Sequence, residues 1–443
     1  MQTLDQLISG QLKGISTLKL SCGLKEFPPQ IADLADTLEM LDLSGNQLSE
    51  LPVYFGCFKK LKIAFFSDNE FEVFPQVLAQ CPELEMIGFR SNKIKYIFEN
   101  SFPKKLRWLT LTNNKIEALP IDIGNCLALQ KVALAGNNIT ELPKEMAACI
   151  NLELLRISAN KIKELPNWLI SLPKLSWLAY AGNDFNSLDI NNIDLNEMQW
   201  NDFVIEQKIG EGASGKIYKV KCLEQSSTSS FSEYALKEFK GEITSDGSPL
   251  DEMKACILAG KHTNLVNLVA RLKDHPENKQ GLVFNLLNPN YSNLGNPPSF
   301  ITCSRDTFPD NLRFSFHQFY HIAKQIASVS NHLHQKGIMH GDLYAHNILV
   351  DNDKALLSDF GAATIYDKAD NHSPYLERID VRAYGCLLED LLLRTLWDDV
   401  TNQTKDDCFQ LKENCMQSEV LKRPNFFSIG CFFDELNYSN GSL

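Results

Sequence analysis

The sequence has no run of about eighteen consecutive apolar residues, so no membrane span is expected. Its first stretch, MQTLDQLISGQLKG, lacks both the basic start and the apolar centre of a secretory leader, and none is expected. Basic residues are in deficit, 43 Lys and Arg against 55 Asp and Glu, a formal charge of −12. That balance argues against a nucleic acid or an anionic membrane as the main partner. What is present is ordinary for a folded chain: 443 residues, 44% hydrophobic and 22% charged, which is enough for two or three domains.

Asparagine recurs with a fixed step. Asn46, Asn69, Asn92, Asn114, Asn137, Asn160 and Asn183 are separated by 23, 23, 22, 23, 23 and 23 residues. Each has an apolar residue three before it and another two after it, as in LDLSGNQL and LRISANKI. Leu-Pro or Phe-Pro follows in most units: Leu51-Pro52, Phe74-Pro75, Leu119-Pro120, Leu142-Pro143 and Leu165-Pro166. This is the leucine-rich-repeat pattern. About eight units fit between residues 15 and 190, the first of them, LKLSCGLKEFPP, acting as a cap. Each unit should give one short strand to a parallel sheet, and neighbours bury one another's leucines. Six residues before each Asn stand Met40, Ile63, Met86, Trp108, Lys131, Leu154 and Trp177. Apart from Lys131 these are large and apolar. They either pack on the core edge or form a partner-binding stripe on the concave face. Cys57, Cys81, Cys126 and Cys149 share nearly one phase of the repeat, which reads as small buried side chains in a reducing compartment.

After residue 200 the periodicity stops and the chemistry changes. IGEGASGKIYKV carries Gly210, Gly212 and Gly215 between two strand-like stretches. A glycine-rich hairpin of this kind suits nucleotide phosphates. Lys237 follows Ala235 on a strand, YALKEFK, after a Ser-rich insertion (EQSSTSSFSE) that offers Ser226 to Ser230 and Ser232 as autophosphorylation sites. A buried lysine needs an anion, and Glu252 in DEMKACILAG is the candidate. GLVFNLL reads as a strand that runs on into Asn285, Leu286 and Leu287. A helix is expected from His317 to about His334; His317 and His321 lie one turn apart, with no third metal ligand expected nearby. Then come His340, Asp342 and Asn347 in IMHGDLYAHNILVD, followed by Asp359-Phe360-Gly361.

In this order these segments resemble a protein kinase, and with the repeats the chain resembles the leucine-rich-repeat serine/threonine kinases of plants. The resemblance implies an α/β leucine-rich-repeat solenoid followed by an α+β bilobal protein kinase fold. The expected boundaries are a solenoid at 1–190, a linker at 191–202 and a kinase domain at 203–437. It implies ATP and Mg²⁺ as cofactors, Asp342 as the residue that takes the acceptor proton, and Asn347 and Asp359 as metal ligands. Nucleotide contacts are implied for Ile209, Gly210, Gly212, Gly215, Ile217, Ala235, Lys237, Glu252, Phe284 (the gatekeeper position) and Leu286 (the hinge). Asp380 and Gly385 match the conserved Asp and Gly of the F helix, and Arg423 the R-P-x-F motif.

Two positions and one spacing depart from the family. Gly341 stands where the catalytic-loop Arg is usual, Tyr344 where a Lys is usual, and only 21 residues separate Asp359 from Asp380, with no A-P-E sequence between them. Two readings follow. One is an active serine/threonine kinase, independent of activation-loop phosphorylation, whose repeats recruit a substrate or partner. The other is a pseudokinase scaffold in which the repeats carry the function. A cytoplasmic location is expected, in the cell of origin or in one into which the chain is delivered.

Overall fold

In this computed structural model, residues 2–184, 195–212, 214–223, 231–241, 243–244, 246–398 and 400–436 are described. Ser226 to Ser230, and 191–194 of the expected linker, lie outside them. By packing, the chain forms two compact units: Met1–Leu175 with Gly182–Phe185 and Thr244–Asp246, and Ser176–Ala181 with Asn186–Ile243 and Gly247–Leu443.

A short capped helix, α1 (Leu4–Ile8), precedes eight three-residue strands: β1 (Thr17–Lys19), β2 (Met40–Asp42), β3 (Ile63–Phe65), β4 (Met86–Gly88), β5 (Trp108–Thr110), β6 (Lys131–Ala133), β7 (Leu154–Arg156) and β8 (Trp177–Ala179). They form one parallel sheet in chain order. Pro-initiated 3-10 turns and the short helix α2 (Asn167–Ile170) run along the other side of the repeats. The asparagines account for the fixed step. Asn137 Nδ2 donates to Leu134 O at 2.8 Å and to Leu111 O of the preceding unit at 2.9 Å, while its Oδ1 accepts Ile116 N–H at 3.0 Å. Asn46, Asn69, Asn92, Asn114, Asn160 and Asn183 repeat this bracket. Each asparagine therefore satisfies backbone groups of two units that no strand reaches. Phenylalanines replace leucines in part of the core, and Phe66 stacks on Phe89 with ring centroids 5.0 Å apart. Cys81, Cys126 and Cys149 are buried, as read from their phase, whereas Cys57 is only half-buried.

The expected apolar stripe is corrected in part. Met86, Leu154 and Trp177 are buried. Along the parallel ladder Met86 is flanked by Ile63 and Trp108, so large neighbours cover one another. Met40, Ile63 and Trp108 stay half-buried, and Lys131 Nζ lies 4.0 Å from the Trp108 ring centroid.

The second unit has a six-stranded sheet in the order β10-β11-β12-β14-β13-β9. Its strands are β9 (Glu197–Gln199), β10 (Phe203–Glu211), β11 (Gly215–Leu223), β12 (Phe231–Phe239), β13 (Leu268–Lys273) and β14 (Gly281–Asn285), with helix α3 (Pro249–Ala259) between β12 and β13. Val220, Leu236, Ala270, Leu272 and Val283 form its core. The stretch expected as a linker is corrected here: β9 pairs in parallel with β13, and Met198 packs on that core.

The rest is helical, with small hairpins: β15 (Ser292–Asn293), α4 (Phe316–Gln335), β16 (Ile338–Met339), β17 (Ile348–Asp351), β18 (Lys354–Leu357), β19 (Thr364–Ile365), α5 (Ser373–Leu392), α6 (Asn402–Cys415) and α7 (Phe426–Glu435). A capping box between Ser315 and Gln318 starts α4 one residue before His317. Among the described residues, no helix is long and apolar enough to cross a membrane.

Candidate active site

β10 and β11 form an antiparallel hairpin in which Gly210 faces Ile217. Gly212 N–H donates to Gly215 O at 2.9 Å to close it. A Cβ on Gly215 would lie 2.6 Å from Glu238 O, so β11 can approach β12 here only without a side chain. A Cβ on Gly212 would meet nothing within 4 Å, so the tip borders open space. Register places Lys237 opposite Ile217, and Ala235 opposite Phe284. Ile209 is exposed, while Ile217, Ala235, Phe284 and Leu286 are half-buried. The nucleotide-contact residues expected from the sequence thus fall on adjoining strands and on the segment leaving β14.

Ser248 caps α3 and Pro249 starts it, which puts Glu252 in the first turn. Glu252, 2% exposed, pairs with the Lys237 ammonium. Burial opposes charge on Lys237, but the Glu252 and Asp359 carboxylates hold its pKa above the ordinary lysine value. Asp359, far away in sequence, thus acts on the same ammonium.

The catalytic loop hangs from one buried carboxylate. Asp380 on α5 accepts His340 N–H at 2.7 Å, Gly341 N–H at 3.0 Å and the His334 ring at 3.0 Å. His340 Nε2 meets Ser358 O at 3.1 Å, and its Nδ1 accepts Asp342 N–H at 3.3 Å. These contacts fix the imidazole between the two acidic segments. Asn347 Nδ2 donates to Asp342 Oδ2 at 2.8 Å and to Asp342 O at 2.9 Å. Its amide oxygen is the atom left for a cation. Asp359 has a φ of +55°, and its Oδ1 accepts Gly361 N–H at 3.0 Å, leaving Oδ2 as a second oxygen donor. The β17–β18 hairpin joins Asn347 to Asp359, so its register sets their separation.

The departures have physical causes. Gly341 has a φ of +70°, and a Cβ there would lie 2.4 Å from Leu178 O and 2.8 Å from Ala362 O. No arginine fits. Within this same unit, the Trp177 indole stacks on Tyr344 with centroids 4.3 Å apart, and its N–H donates to Leu343 O at 3.2 Å. Trp177 is therefore committed to the catalytic loop, and Tyr344 fills its position as a packing residue. Between Gly361 and α5 lie only residues 362–372. Glu377 accepts Phe426 N–H at 2.9 Å and pairs with Arg378 at 2.7 Å, while Arg423 donates to Gln417 O and Arg378 O.

Sequence reasoning missed Asp306. It is buried, accepts the His346 backbone N–H at 3.0 Å and meets His346 Nδ1 at 2.7 Å. Burial opposes charge on His346, but Asp306, then Asp342 and Asp359, raise its pKa above the ordinary histidine value. The loop thus holds an imidazole biased toward its cation. The sequence around it, SRDTF, is polar and gives no signal of that burial.

The family model described as Protein kinase domain matches residues 203–430, and two leucine-rich-repeat models match 37–58 and 128–185. The human MAPK/MAK/MRK overlapping kinase is 29% identical over 189 residues, 41% of this chain and 40% of its own. The Arabidopsis thaliana putative L-type lectin-domain containing receptor kinase V.6 is 32% identical, over 38% of this chain and 30% of its own. The Arabidopsis serine/threonine-protein kinase AtPK1/AtPK6 is 28% identical, over 38% and 33%. The chain thus spans less than half the length of each of these relatives. A solved leucine-rich-repeat protein from Leptospira interrogans is 29% identical, covering 43% of this chain and 50% of its own, at a TM-score of 0.39. With its kinase model spanning more than half of the residues and its repeats ahead of it, the chain belongs to the protein kinase family as a leucine-rich-repeat protein kinase.

Proposed function

We propose that this chain is a serine/threonine protein kinase that works without activation-segment phosphorylation, and that its repeats recruit a protein substrate or partner. The observation that carries this reading is the assembled Lys237–Glu252 pair acting in one field with Asp359, beside an Asp342 carboxylate already oriented by Asn347. Such an arrangement has little left to be switched on.

The donor set fits Mg–ATP. The atoms left by Asn347 and Asp359 are oxygens, which suit a hard cation such as Mg²⁺. Bound there, Mg–ATP supplies the phosphoryl group and neutralises its charge. Lys237 would hold the phosphates with Gly210, Gly212 and Gly215, and Ile209, Ile217, Ala235, Phe284 and Leu286 would contact the rest of the nucleotide. Asp342 accepts the proton of the acceptor hydroxyl, and Asn347 keeps that carboxylate aimed. With Gly341 there is no catalytic-loop guanidinium for a segment phosphate to pair with, which supports independence from that modification. On the repeats, Met40, Ile63 and Trp108 are the part of the stripe still open to a partner. The kinase domain is taken as 203–437, with β9 of the expected linker joined to its sheet, after a solenoid of 1–190. The twelve cysteines, none in a disulfide, support a reducing, cytoplasmic setting.

The test is phosphotransfer from γ-labelled Mg–ATP, to the chain itself and to a generic protein substrate, beside Lys237→Met and Asp359→Asn. Label on Ser or Thr in the wild type alone, unchanged by prior phosphatase treatment, is expected. No label in any sample, together with no Mg–ATP thermal shift, would replace this reading with the scaffold.

A further inference from the structure

We propose that His317, His321 and Asp353 form a divalent transition-metal site, selective for zinc-like ions, at the tip of the hairpin that joins Asn347 to Asp359. The sequence suggested two histidines with no third ligand. The fold supplies one from 32 residues further along. His317 and His321 lie one turn apart on α4, with ring centroids 4.3 Å apart. Asp353 occupies the turn between β17 and β18, and His317 Nε2 lies 3.5 Å from its Oδ2. One donor atom from each residue can be chosen so that all lie within 4.8 Å of one another. Zinc bonds of about 2.0–2.2 Å place tetrahedral ligand atoms roughly 3.3–3.6 Å apart. A small torsional adjustment of partly exposed side chains closes the difference.

The backbone under these ligands is already fixed. Gln325, one further turn along the His317–His321 stripe, donates to Asp353 O at 2.7 Å and accepts Ala355 N–H at 2.9 Å. Asn264 donates to the same Gln325 oxygen at 2.7 Å and to Ala355 O at 3.0 Å. The helix and the turn are thus bolted together beside the ligand set, the support a metal site needs. Asn352, with a φ of +56°, shapes the turn that presents Asp353.

Ligand chemistry selects the ion. Two imidazoles and one carboxylate suit Zn²⁺, Co²⁺ or Ni²⁺ and are a poor set for Mg²⁺ or Ca²⁺. The site lies in the first turns of α4, where the helix dipole disfavours a weakly held cation. Lys324 is the nearby competing cation, and Asp434 engages it at 2.7 Å. Three protein ligands and solvent exposure leave a coordination position for water or for a side chain from a partner.

The experiment uses the full, untagged chain treated with chelator. Zn²⁺ is titrated calorimetrically, and Co²⁺ is followed by its visible absorption. One ion per chain is expected, with a cobalt spectrum free of the thiolate charge-transfer band. His321→Ala, His317→Ala and Asp353→Asn should each weaken binding at least about 10-fold, the least that loss even of an outer-shell partner usually costs. Mg²⁺ and Ca²⁺ at equal concentration should give no heat at this site. The Mg–ATP thermal shift serves as a folding check, because none of the three residues touches the phosphate-binding residues. Equal zinc affinity in His321→Ala, a thiolate band, or no binding by the wild type would each overturn the site. None of these outcomes bears on phosphotransfer.

Discussion

Gly341→Ala isolates the cause of the missing arginine. The substitution forces alanine into a φ of +70°, which costs about 1–2 kcal/mol. It also sets a Cβ 2.4 Å from Leu178 O and 2.8 Å from Ala362 O. Both obstacles are backbone atoms, so relief requires moving the loop, at a further cost of about 1–3 kcal/mol. Moving it also disturbs the His340 and Gly341 N–H bonds to Asp380. The sum, about 2–5 kcal/mol, should lower the melting temperature of the kinase unit by roughly 5–15 °C. Gly260→Ala is the control. Its φ is +63°, but the nearest atom to a Cβ is the flexible end of Lys336 at 3.2 Å, so only the backbone term applies. Differential scanning calorimetry of both variants gives the answer. If Gly341→Ala costs no more than Gly260→Ala, the steric account of this position is wrong. Gly341→Arg should be at least as damaging as alanine and should not restore any response to segment phosphorylation.

Two further outcomes are expected. Asn114→Ala removes a bracket whose Nδ2 bonds Phe89 O at 2.8 Å and Leu111 O at 3.0 Å and whose Oδ1 accepts Ile94 N–H at 3.0 Å; urea unfolding should show a loss of about 2–4 kcal/mol for the solenoid, because buried backbone groups lose partners. Asp306→Asn keeps an acceptor for the His346 N–H but removes the charge: because the folded-state pKa of His346 is raised, the ion pair stabilises fully below the ordinary histidine value of about 6.5 and fades as pH rises through the folded value, so the stability gap to the wild type should narrow from about pH 6.5 upward. A gap that widens with pH would refute the His346–Asp306 assignment.

Much of this architecture is legible in one sequence because two signals are physically rigid. The asparagine bracket works only at a fixed step, so Asn46 to Asn183 display the solenoid directly. The order from Gly210 through Lys237 and Asp342 to Asp359 is likewise legible, as a resemblance to protein kinases. What escapes the sequence is contact between distant segments. The burial of Met86 depends on Ile63 and Trp108, one repeat away on each side, and Trp177 is consumed by Tyr344. Asp306 meets His346 across 40 residues, and Asp353 meets His317 only because a hairpin folds back on α4. Gly341 reads as a loss from the sequence alone; the two carbonyl oxygens beside it make it a requirement of the fold.

The cysteines described as small core residues also equip the molecule with its own reporters. Burial lifts the thiols of Cys81 and Cys126 to a pKa of about 12 and that of Cys149 to about 11, so alkylating reagents find almost no thiolate there while the repeats are closed. Cys22 is exposed, and Cys57 and Cys431 are half-buried, so these would react first. Because Cys126 and Cys149 sit in successive turns of the array and Cys81 two turns earlier, the order in which they become reactive under mild denaturant is a record of where the solenoid opens, without any added label.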